Sequence, residues 1–185
     1  YAFCREVDDV VDEVQDAGYG LTRDDYIRLL ATVPTIDKAI PIREVSREFR
    51  NGTRKFEGRC VGCTPDYAEV TRLEPRQGRF LTDGDLINQS NYCVLAAETA
   101  DRLFPFGDPI GQKIMVDDHF FVVVGVTKSR APSAGIGGSV AAEDFSRDVY
   151  IPITTMETRM GDMEVVMKPG QFQRDLKELS QITIQ

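Results

Sequence analysis

Hydrophobic and polar residues alternate along this chain over short distances, and the pattern predicts a series of short strands and short helices. Residues 5–16 have the period of an amphipathic helix whose polar face is acidic. The valines on its apolar face are Val7, Val10, Val11 and Val14. A second helix is predicted from Thr22, a residue type that caps helices, to the residue before Pro34, which cannot continue one.

The clearest local signal is a β-hairpin. Residues 42–50 and 53–61 alternate between apolar and polar side chains on either side of Asn51-Gly52. This pair is typical of two-residue type I′ turns, which join twisted antiparallel strands. The sequence therefore predicts two long strands connected directly.

The turn also predicts which residues face each other. It places Glu48 opposite Lys55, and it places Glu44 opposite Arg59. Opposite charges in these positions stabilise an antiparallel pair. The residues expected together on the other face are Val45, Phe49, Phe56 and Cys60.

The middle of the chain predicts further short elements. A helix is expected to begin at Thr64-Pro65, because threonine can cap a helix and proline suits its first turn. Residues 92–95 suit a strand, and the helical segment after them ends at Pro105. Residues 112–126 then predict a hairpin that turns at Asp117-Asp118-His119.

The last third of the chain predicts a loop followed by mixed elements. Residues 128–147 are rich in Gly, Ser, Ala and Pro, which favours an exposed loop. Residues 148–152 suit a strand, residues 156–167 suit a helix, and residues 178–185 alternate like a final strand.

The charge and the apolar runs of the chain disfavour several classes of function. The chain has 22 Lys and Arg residues, 30 Asp and Glu residues and a net charge of -8. Binding to nucleic acid or to anionic lipid requires clustered basic residues, so both are disfavoured. The apolar runs, such as residues 120–124, are far shorter than the roughly 20 residues of a membrane helix. The sequence begins with Tyr1 rather than an initiator Met, and its first residues lack the pattern of a signal peptide. We therefore expect a soluble piece of a longer protein.

Cys60-Val-Gly-Cys63 matches the CxxC pattern of thiol oxidoreductases and of half of a zinc site. A redox pair lies at the start of a helix, whereas Cys60 falls in the second predicted hairpin strand and Cys63 follows it. Residues three apart on a strand face opposite sides. We therefore expect buried, inert thiols. A disulfide involving Cys4 or Cys93, and a redox or metal role, are the alternatives.

The other candidate chemistry is weak. His119 is the single histidine and lies in a predicted turn, and the chain has no GxSxG nucleophile motif. The glycine-rich residues 135–139 lack the ending of a phosphate-binding loop. Paired acids without EF-hand spacing indicate surface turns. These pairs are Asp83/Asp85, Asp117/Asp118 and Glu143/Asp144. We expect no catalytic, cofactor-binding or metal-binding residue and no enzyme activity.

Three separated motifs carry a family resemblance. Residues 92–126 contain VLAAETADRLFP, DPIGQKI.V and F.VVGV; residues 62–85 contain G.TPDY.EV and GRFLT..D; residues 148–155 read DVYIPITT. Their order and spacing over residues 22–160 resemble the periplasmic core domain of MacB-type ABC-transporter permeases. That group includes the FtsX-like and lipoprotein-releasing permeases.

The resemblance implies an α+β fold of two lobes. A porter-like α+β lobe is built from the chain ends, and a mixed α/β lobe of hairpins and short helices is inserted between them. We expect residues 1–63 to form the N-terminal part of the porter-like lobe and residues 64–160 to form the inserted lobe. Residues 161–185 would return to the porter-like lobe, which we expect to be truncated here.

The resemblance also implies a function without catalysis. Such a domain lies on the outer side of the cytoplasmic (inner) membrane, between the first two membrane helices of a permease, and ATP hydrolysis in the cytoplasm repositions it. The expected partners are a periplasmic adaptor of the MacA type or a secreted or lipoprotein cargo, the permease's own ATP-binding subunit or domain, and a second permease copy. No nucleic-acid partner is expected.

The loop at residues 128–147 is the predicted partner contact, on the basis of its composition. The residues chosen in it are Arg130, Ile136, Gly137, Gly138 and Phe145. Two other classes of function stay open. One is a soluble extracytoplasmic ligand-binding module, and the other is a thiol oxidoreductase that uses Cys60 and Cys63.

Overall fold

Short strands and short helices alternate along the chain in the computed structural model, which describes residues 21–32, 38–129, 145–168 and 171–184. The helices are α1 (Arg23–Thr32), α2 (Asp66–Thr71), α3 (Asp83–Ile87), α4 (Ala97–Leu103) and α5 (Ile153–Met160), with one 3-10 helix at Phe145–Arg147. The strands are β1 (Ala39–Asn51), β2 (Arg54–Cys63), β3 (Pro75–Gly78), β4 (Tyr92–Leu95), β5 (Lys113–Val116), β6 (His119–Thr127), β7 (Asp148–Pro152), β8 (Met163–Lys168), β9 (Gln171–Leu176) and β10 (Gln181–Ile184). The predicted helix at residues 5–16 lies outside the described residues.

Most of the described strands belong to one sheet that closes on itself. The sheet has the order β10-β1-β2-β7-β4-β6-β3, and β5 pairs with both β1 and β6. The six strands β1, β2, β7, β4, β6 and β5 therefore form a closed circuit of hydrogen-bonded neighbours. Strands β8 and β9 form a separate hairpin. Closure removes open edges, which are the parts of a sheet most exposed to unwanted pairing.

Alternation along the strands builds two cores. Every strand of the closed circuit contributes to the first core, which includes Phe49 of β1, Cys60 of β2 and Phe121 of β6, each fully buried. The second core lies on the outer face, where α2 and the residues after it cover Ile42, Val61 and Tyr150. The period of two in strand side chains thus divides each long strand between an enclosed interior and a covered exterior.

The predicted hairpin forms, but its predicted register is wrong. Asn51 pairs with Arg54, so the two turn residues are Gly52 and Thr53. Gly52 has a φ of 60°. A positive φ at the first turn position is the requirement of a type II′ turn, and glycine meets it without strain.

The register change moves the ion pairs to diagonal positions. Lys55 Nζ lies 3.4 Å from Glu48 Oε1, and an Arg59 guanidinium nitrogen lies 3.3 Å from Glu44 Oε2. Diagonal neighbours are within reach of long side chains, so the expected charges still meet. The four residues predicted to share the inner face do so, and in the observed register Val45 pairs with Cys60 and Phe49 pairs with Phe56.

Of the two predicted helix caps, the structure confirms the one at Thr22 but not the one at Thr64. At Thr22 the backbone N–H and the hydroxyl both donate to Asp25 Oδ2, and the Asp25 backbone N–H donates to Thr22 Oγ1, which confirms the cap. At Thr64-Pro65 the helix begins at Asp66 without a side-chain cap.

The predicted helix over residues 156–167 is wrong in its second half. Helix α5 ends at Met160, and β8 follows from Met163. Gly161 has a φ of 63°, a left-handed value that ends helices. The α+β class is confirmed, whereas the division into lobes at residues 63 and 160 stays a prediction.

Adjacent aromatic residues on β6 provide a test of the enclosed core. Replacing the fully buried Phe121 by alanine should lower the free energy of unfolding by about 3–5 kcal/mol, because it leaves a cavity. Phe120→Ala is the matched control, since Phe120 is 61% exposed, and should change stability by less than about 0.5 kcal/mol. Denaturant titration followed by circular dichroism measures both. Equal effects would contradict the assignment of the two faces.

Candidate functional site

The candidate site lies at the carboxyl end of β4. The end of β6 and the start of β7 lie on either side of it. Leu95 pairs with Val126 of the parallel strand β6 and with Val149 of the antiparallel strand β7. The chain therefore leaves β6 on one side of β4 and returns into β7 on the other side. Two strand spacings separate these points by about 10 Å. Residues 130–144, which lie outside the described residues, connect them.

The departing side of this connection is fixed by Lys128. Its backbone N–H donates to the Glu74 carbonyl, and its Nζ donates to Glu74 Oε2 at 2.6 Å. Glu74 directly precedes β3, which pairs with β6. The chain is thus held to the sheet just before residue 130.

The returning side is fixed by the 3-10 helix. The Arg59 guanidinium lies 5.5 Å from the Phe145 ring centroid, and the Arg147 guanidinium lies 4.9 Å from the Phe56 ring centroid. Cations over aromatic faces at these distances attract each other. The Ser146 hydroxyl donates to Glu98 Oε2 at 3.0 Å. These contacts attach each residue of the 3-10 helix to β2 or α4.

Gly58 permits this attachment. A Cβ atom at residue 58 would lie 2.1 Å from the carbonyl oxygen of Arg147, and real Cβ atoms do not come so close to another atom. The backbone of β2 and the 3-10 helix therefore approach each other at a distance that only glycine allows.

A buried ion pair stands directly behind the 3-10 helix. Arg59 donates from Nε to Asp148 Oδ1 at 2.9 Å and from a terminal nitrogen to Asp148 Oδ2 at 3.0 Å. The Tyr150 hydroxyl donates to the same carboxylate at 3.1 Å, and Glu44 accepts a further Arg59 bond. The Asp148 side chain is fully buried, and the Arg59 side chain is 27% exposed. A carboxylate removed from water is stable here because its oxygens have hydrogen-bond donors.

The pKa shifts show two opposing effects on this pair. Burial acts to lower the pKa of Arg59, and the hydrogen bonds and charge of Asp148 raise it above its ordinary value. Burial raises the pKa of the Asp148 carboxyl, and the bond to Arg59 opposes that rise. The pair therefore depends on both members being present.

Only one of the residues predicted for partner contact lies within the described residues. Phe145 belongs to the 3-10 helix, where it is half-buried beside Arg59. The predicted contact residues outside the described residues are Arg130, Ile136, Gly137 and Gly138. The predicted role of this segment stays a prediction.

The two ends of the described chain meet at the opposite end of the sheet. Strand β10 pairs with the start of β1, from Ile42 with Gln181 to Ala39 with Ile184. The N–H of Leu179 donates to the Leu21 carbonyl at 3.0 Å. These contacts bring the residues before β1 beside the residues that lead into β10.

An ion network that the sequence reading missed joins these ends. Arg23 at the start of α1 makes two bonds to Asp162, at 2.7 and 2.8 Å, and its backbone N–H donates to Glu178 at 2.8 Å. Arg43 of β1, which is 2% exposed, also donates to Asp162, at 3.2 Å. The bonds to Arg23 lower the pKa of the Asp162 carboxyl. A signal was available: Arg43 shares the inward face of β1 with Val45 and Phe49, and a buried charge requires a partner.

The cysteines do not form a redox or metal site within the described residues. Cys60, Cys63 and Cys93 are free and fully buried, and burial raises the pKa of each thiol. Cys60 belongs to the enclosed core and Cys63 to the outer core, so they face opposite sides of β2, as predicted. Cys4 lies outside the described residues.

Asp85, Asp117 and the histidine have structural partners, whereas the pair Glu143/Asp144 lies outside the described residues. Asp85 accepts the Thr82 backbone N–H and pairs with Arg79 at 2.6 Å, and Asp117 pairs with Arg47 at 2.7 Å. His119 is the first residue of β6 rather than a turn residue, and its Nε2 lies 2.9 Å from the Arg159 carbonyl oxygen. Within the part of the chain that the structure describes, no three His, Cys, Asp or Glu side chains are grouped to hold a metal ion.

None of the helices among the described residues combines the length and apolar character needed to cross a bilayer. The described features are a closed sheet, an anchored connection at one end and, at the other end, contacts between the first and the last described residues. They include no cluster of catalytic groups among the described residues.

Solved structures with the same fold are extracytoplasmic parts of ABC transporters. The extracellular domain of the ABC-type transporter YknZ from Gram-positive bacteria matches with a TM-score of 0.65 and 18% identity, over 89% of this chain and 72% of that one. The periplasmic region of MacB from Actinobacillus actinomycetemcomitans matches with a TM-score of 0.62 and 22% identity, over 85% of this chain and 61% of that one.

Curated relatives are much longer than this chain. The pyoverdine export ATP-binding/permease protein PvdT of Pseudomonas aeruginosa is 23% identical over 78% of this chain and 21% of its own length. The macrolide export ATP-binding/permease protein MacB of Syntrophobacter fumaroxidans is 28% identical over 76% of this chain and 19% of its own length. The chain thus spans about a fifth of these relatives.

The fold and these matches define the class to which this chain belongs. It is the periplasmic or extracellular domain of an ABC-type exporter permease. Residues 7–181 match the model of the MacB-like periplasmic core domain, and the chain belongs to that family. This confirms the resemblance found in the sequence motifs and the extracytoplasmic location that it implied.

The ion pair behind the 3-10 helix gives a stability prediction. Asp148→Ala should lower the free energy of unfolding by about 3 kcal/mol, because it leaves the Arg59 charge without its main partner. The double variant Arg59→Met with Asp148→Leu should recover at least half of that loss, since neither charge is then buried. Denaturant titration measures both. A single variant within about 0.5 kcal/mol of the parent would contradict the role of the pair.

Thiol reactivity separates the domain from an oxidoreductase. In a Cys4→Ser background, we expect no thiol to react rapidly with Ellman's reagent in native buffer, because the other three are buried. All three should react in guanidinium chloride. Rapid native reaction of Cys60 and Cys63, assigned by mass spectrometry, would contradict the burial and restore the redox alternative.

Proposed function

We propose that this chain is a non-catalytic domain that couples cytoplasmic ATP hydrolysis to the export or release of a substrate outside the membrane. Family membership supports the place of the chain in a permease. The relatives PvdT and MacB are ATP-binding/permease proteins, of which the chain spans 21% and 19%. In the full-length protein, ATP hydrolysis belongs to another domain or subunit.

The position of the chain ends is the observation that carries this proposal. Residues 21–23 contact residues 178 and 179, and β10 pairs with the start of β1 at the same end of the sheet. The connection through residues 130–144 starts and returns at the other end of β4 and β7. If both chain ends continue into membrane helices, movement of those helices enters the domain at one end. The connection is then on the side away from the membrane, where a partner is accessible.

The partners follow from this orientation. A periplasmic adaptor of the MacA type, or a secreted or lipoprotein cargo, contacts the segment at residues 130–144 and Phe145. A second permease copy assembles with the first through the membrane parts. The division into a porter-like lobe of residues 1–63 and 161–185 and an inserted lobe of residues 64–160 belongs to the same proposal.

Replacing the segment in the full-length permease tests the proposal. A six-residue Gly-Ser linker in place of residues 131–143 can cross about 10 Å, so the sheet should stay intact. We expect export to be lost and basal ATP hydrolysis in membrane vesicles to be retained. This is the result for a domain that receives movement but no longer reaches its partner.

A surface variant at the opposite end is the control. Ile87 is 80% exposed and lies before the start of β4, so Ile87→Ser should leave export unchanged. Full export by the linker variant would exclude the segment as the partner contact. If membrane fractionation instead recovered the full-length protein in the soluble fraction, the permease proposal itself would be wrong.

A further inference from the structure

Helix α1 is attached to the described structure without fully burying any of its side chains, although Tyr26 and Leu29 are half-buried. Ile27 is 61% exposed, and Leu30 is 44% exposed. A helix of ten residues is marginal in water, and helices in proteins gain most of their stability from packing an apolar face. The contacts that fix α1 to the described residues must therefore be largely polar.

Those polar contacts are concentrated at the first residue of α1. The Arg23 guanidinium makes its two bonds to Asp162 and lies 3.5 Å from Glu157 and 3.6 Å from Glu178. Farther along the helix, the Tyr26 hydroxyl donates to the Ala39 carbonyl at 3.2 Å. Three carboxylates from α5 and the residues after it thus surround one guanidinium.

Asp162 connects this contact to the closed sheet. It accepts hydrogen bonds from Arg23 and also from the buried Arg43, whose strand β1 contributes Phe49 to the enclosed core. Arg43 is 2% exposed, whereas the Arg23 side chain is 31% exposed. Arg43 and Arg23 share Asp162 Oδ1, so this carboxylate joins a buried arginine of the sheet to a partly exposed arginine of α1.

We infer that Arg23 and Asp162 form an electrostatic latch, and that α1 detaches as a unit when this latch opens while the closed sheet stays folded. The sheet has its own two cores, neither of which includes a residue of α1. Opening the latch exposes no core side chain. Detaching α1 breaks the Tyr26 bond to Ala39 and the charge-assisted hydrogen bonds of Arg23, and salt weakens the latter where the groups are exposed.

The latch itself does not depend on the proposed function, but its role does. In a permease, the residues before α1 lead towards the first membrane helix, and those after β10 lead towards the second. The latch joins these two sides through Asp162 and Glu178. The latch therefore determines whether α1 moves with the sheet or independently of it.

Hydrogen exchange on the 185-residue chain tests the latch. In Arg23→Gln, we expect amides of residues 23–32 to exchange about tenfold faster, the effect of losing a charge-assisted hydrogen-bonded pair. Amides of β2, β6 and β7 should keep their protection, because Asp162 and Arg43 remain paired. Arg28→Gln is the matched control: it removes an exposed arginine from the same helix and should leave exchange unchanged.

Salt provides the second measurement. Raising NaCl from 0.05 to 1 M should accelerate exchange of α1 in the parent chain and have little effect in Arg23→Gln, where the latch is already open. Unchanged exchange of α1 in Arg23→Gln would overturn the inference, and so would equal acceleration in α1 and in β6. These measurements need no transport, so loss of the proposed export function would leave their outcome unaffected.

Discussion

The pairing of one short strand with two others determines the shape of this domain. Strand β5 pairs with β6 over four residues and with β1 through Val116 and Met115, and this closes the circuit of strands. Without those two pairs, β1 and β6 would present open edges near the hairpin turn. Because the circuit closes, its interior excludes water, and Ile114 and Phe121 are fully buried. The connection after β6 and the chain ends are both positioned by this closure.

Two buried ion pairs lie where the closed sheet contacts the 3-10 helix and where it contacts the residues around α1. Asp148 stands behind the anchored connection with Arg59 as its partner, and Arg43 stands behind the chain ends with Asp162 as its partner. Isolated charges in such positions would be very unfavourable, so each pair fixes the relative position of two elements that are distant in the chain. Apolar packing holds the sheet together, and these ion pairs specify how its attachments are oriented.

Most strands could be predicted from alternation, because the period of two records which face is buried. The hairpin register could not, since Asn51-Gly52 and Gly52-Thr53 are adjacent turns that both require a positive φ at Gly52, and only the pairing of Asn51 with Arg54 distinguishes them. Met163–Lys168 resembles a continued helix because its apolar residues suit either structure, although Gly161 was a signal for the end of α5. The Arg23–Asp162 contact spans 139 residues, and no local pattern encodes such a partner.

The pairing of β10 with the start of β1 has a mechanical consequence. Ala39 begins β1 and Ile184 ends β10, so the outermost pair joins the N-terminal end of one strand to the C-terminal end of the other. A force that pulls these ends apart acts across this ladder at its first rung and opens it by unzipping, one pair at a time. The same force never shears the whole ladder at once. A ladder loaded in this way yields gradually, from the rung of Ala39 and Ile184 inwards.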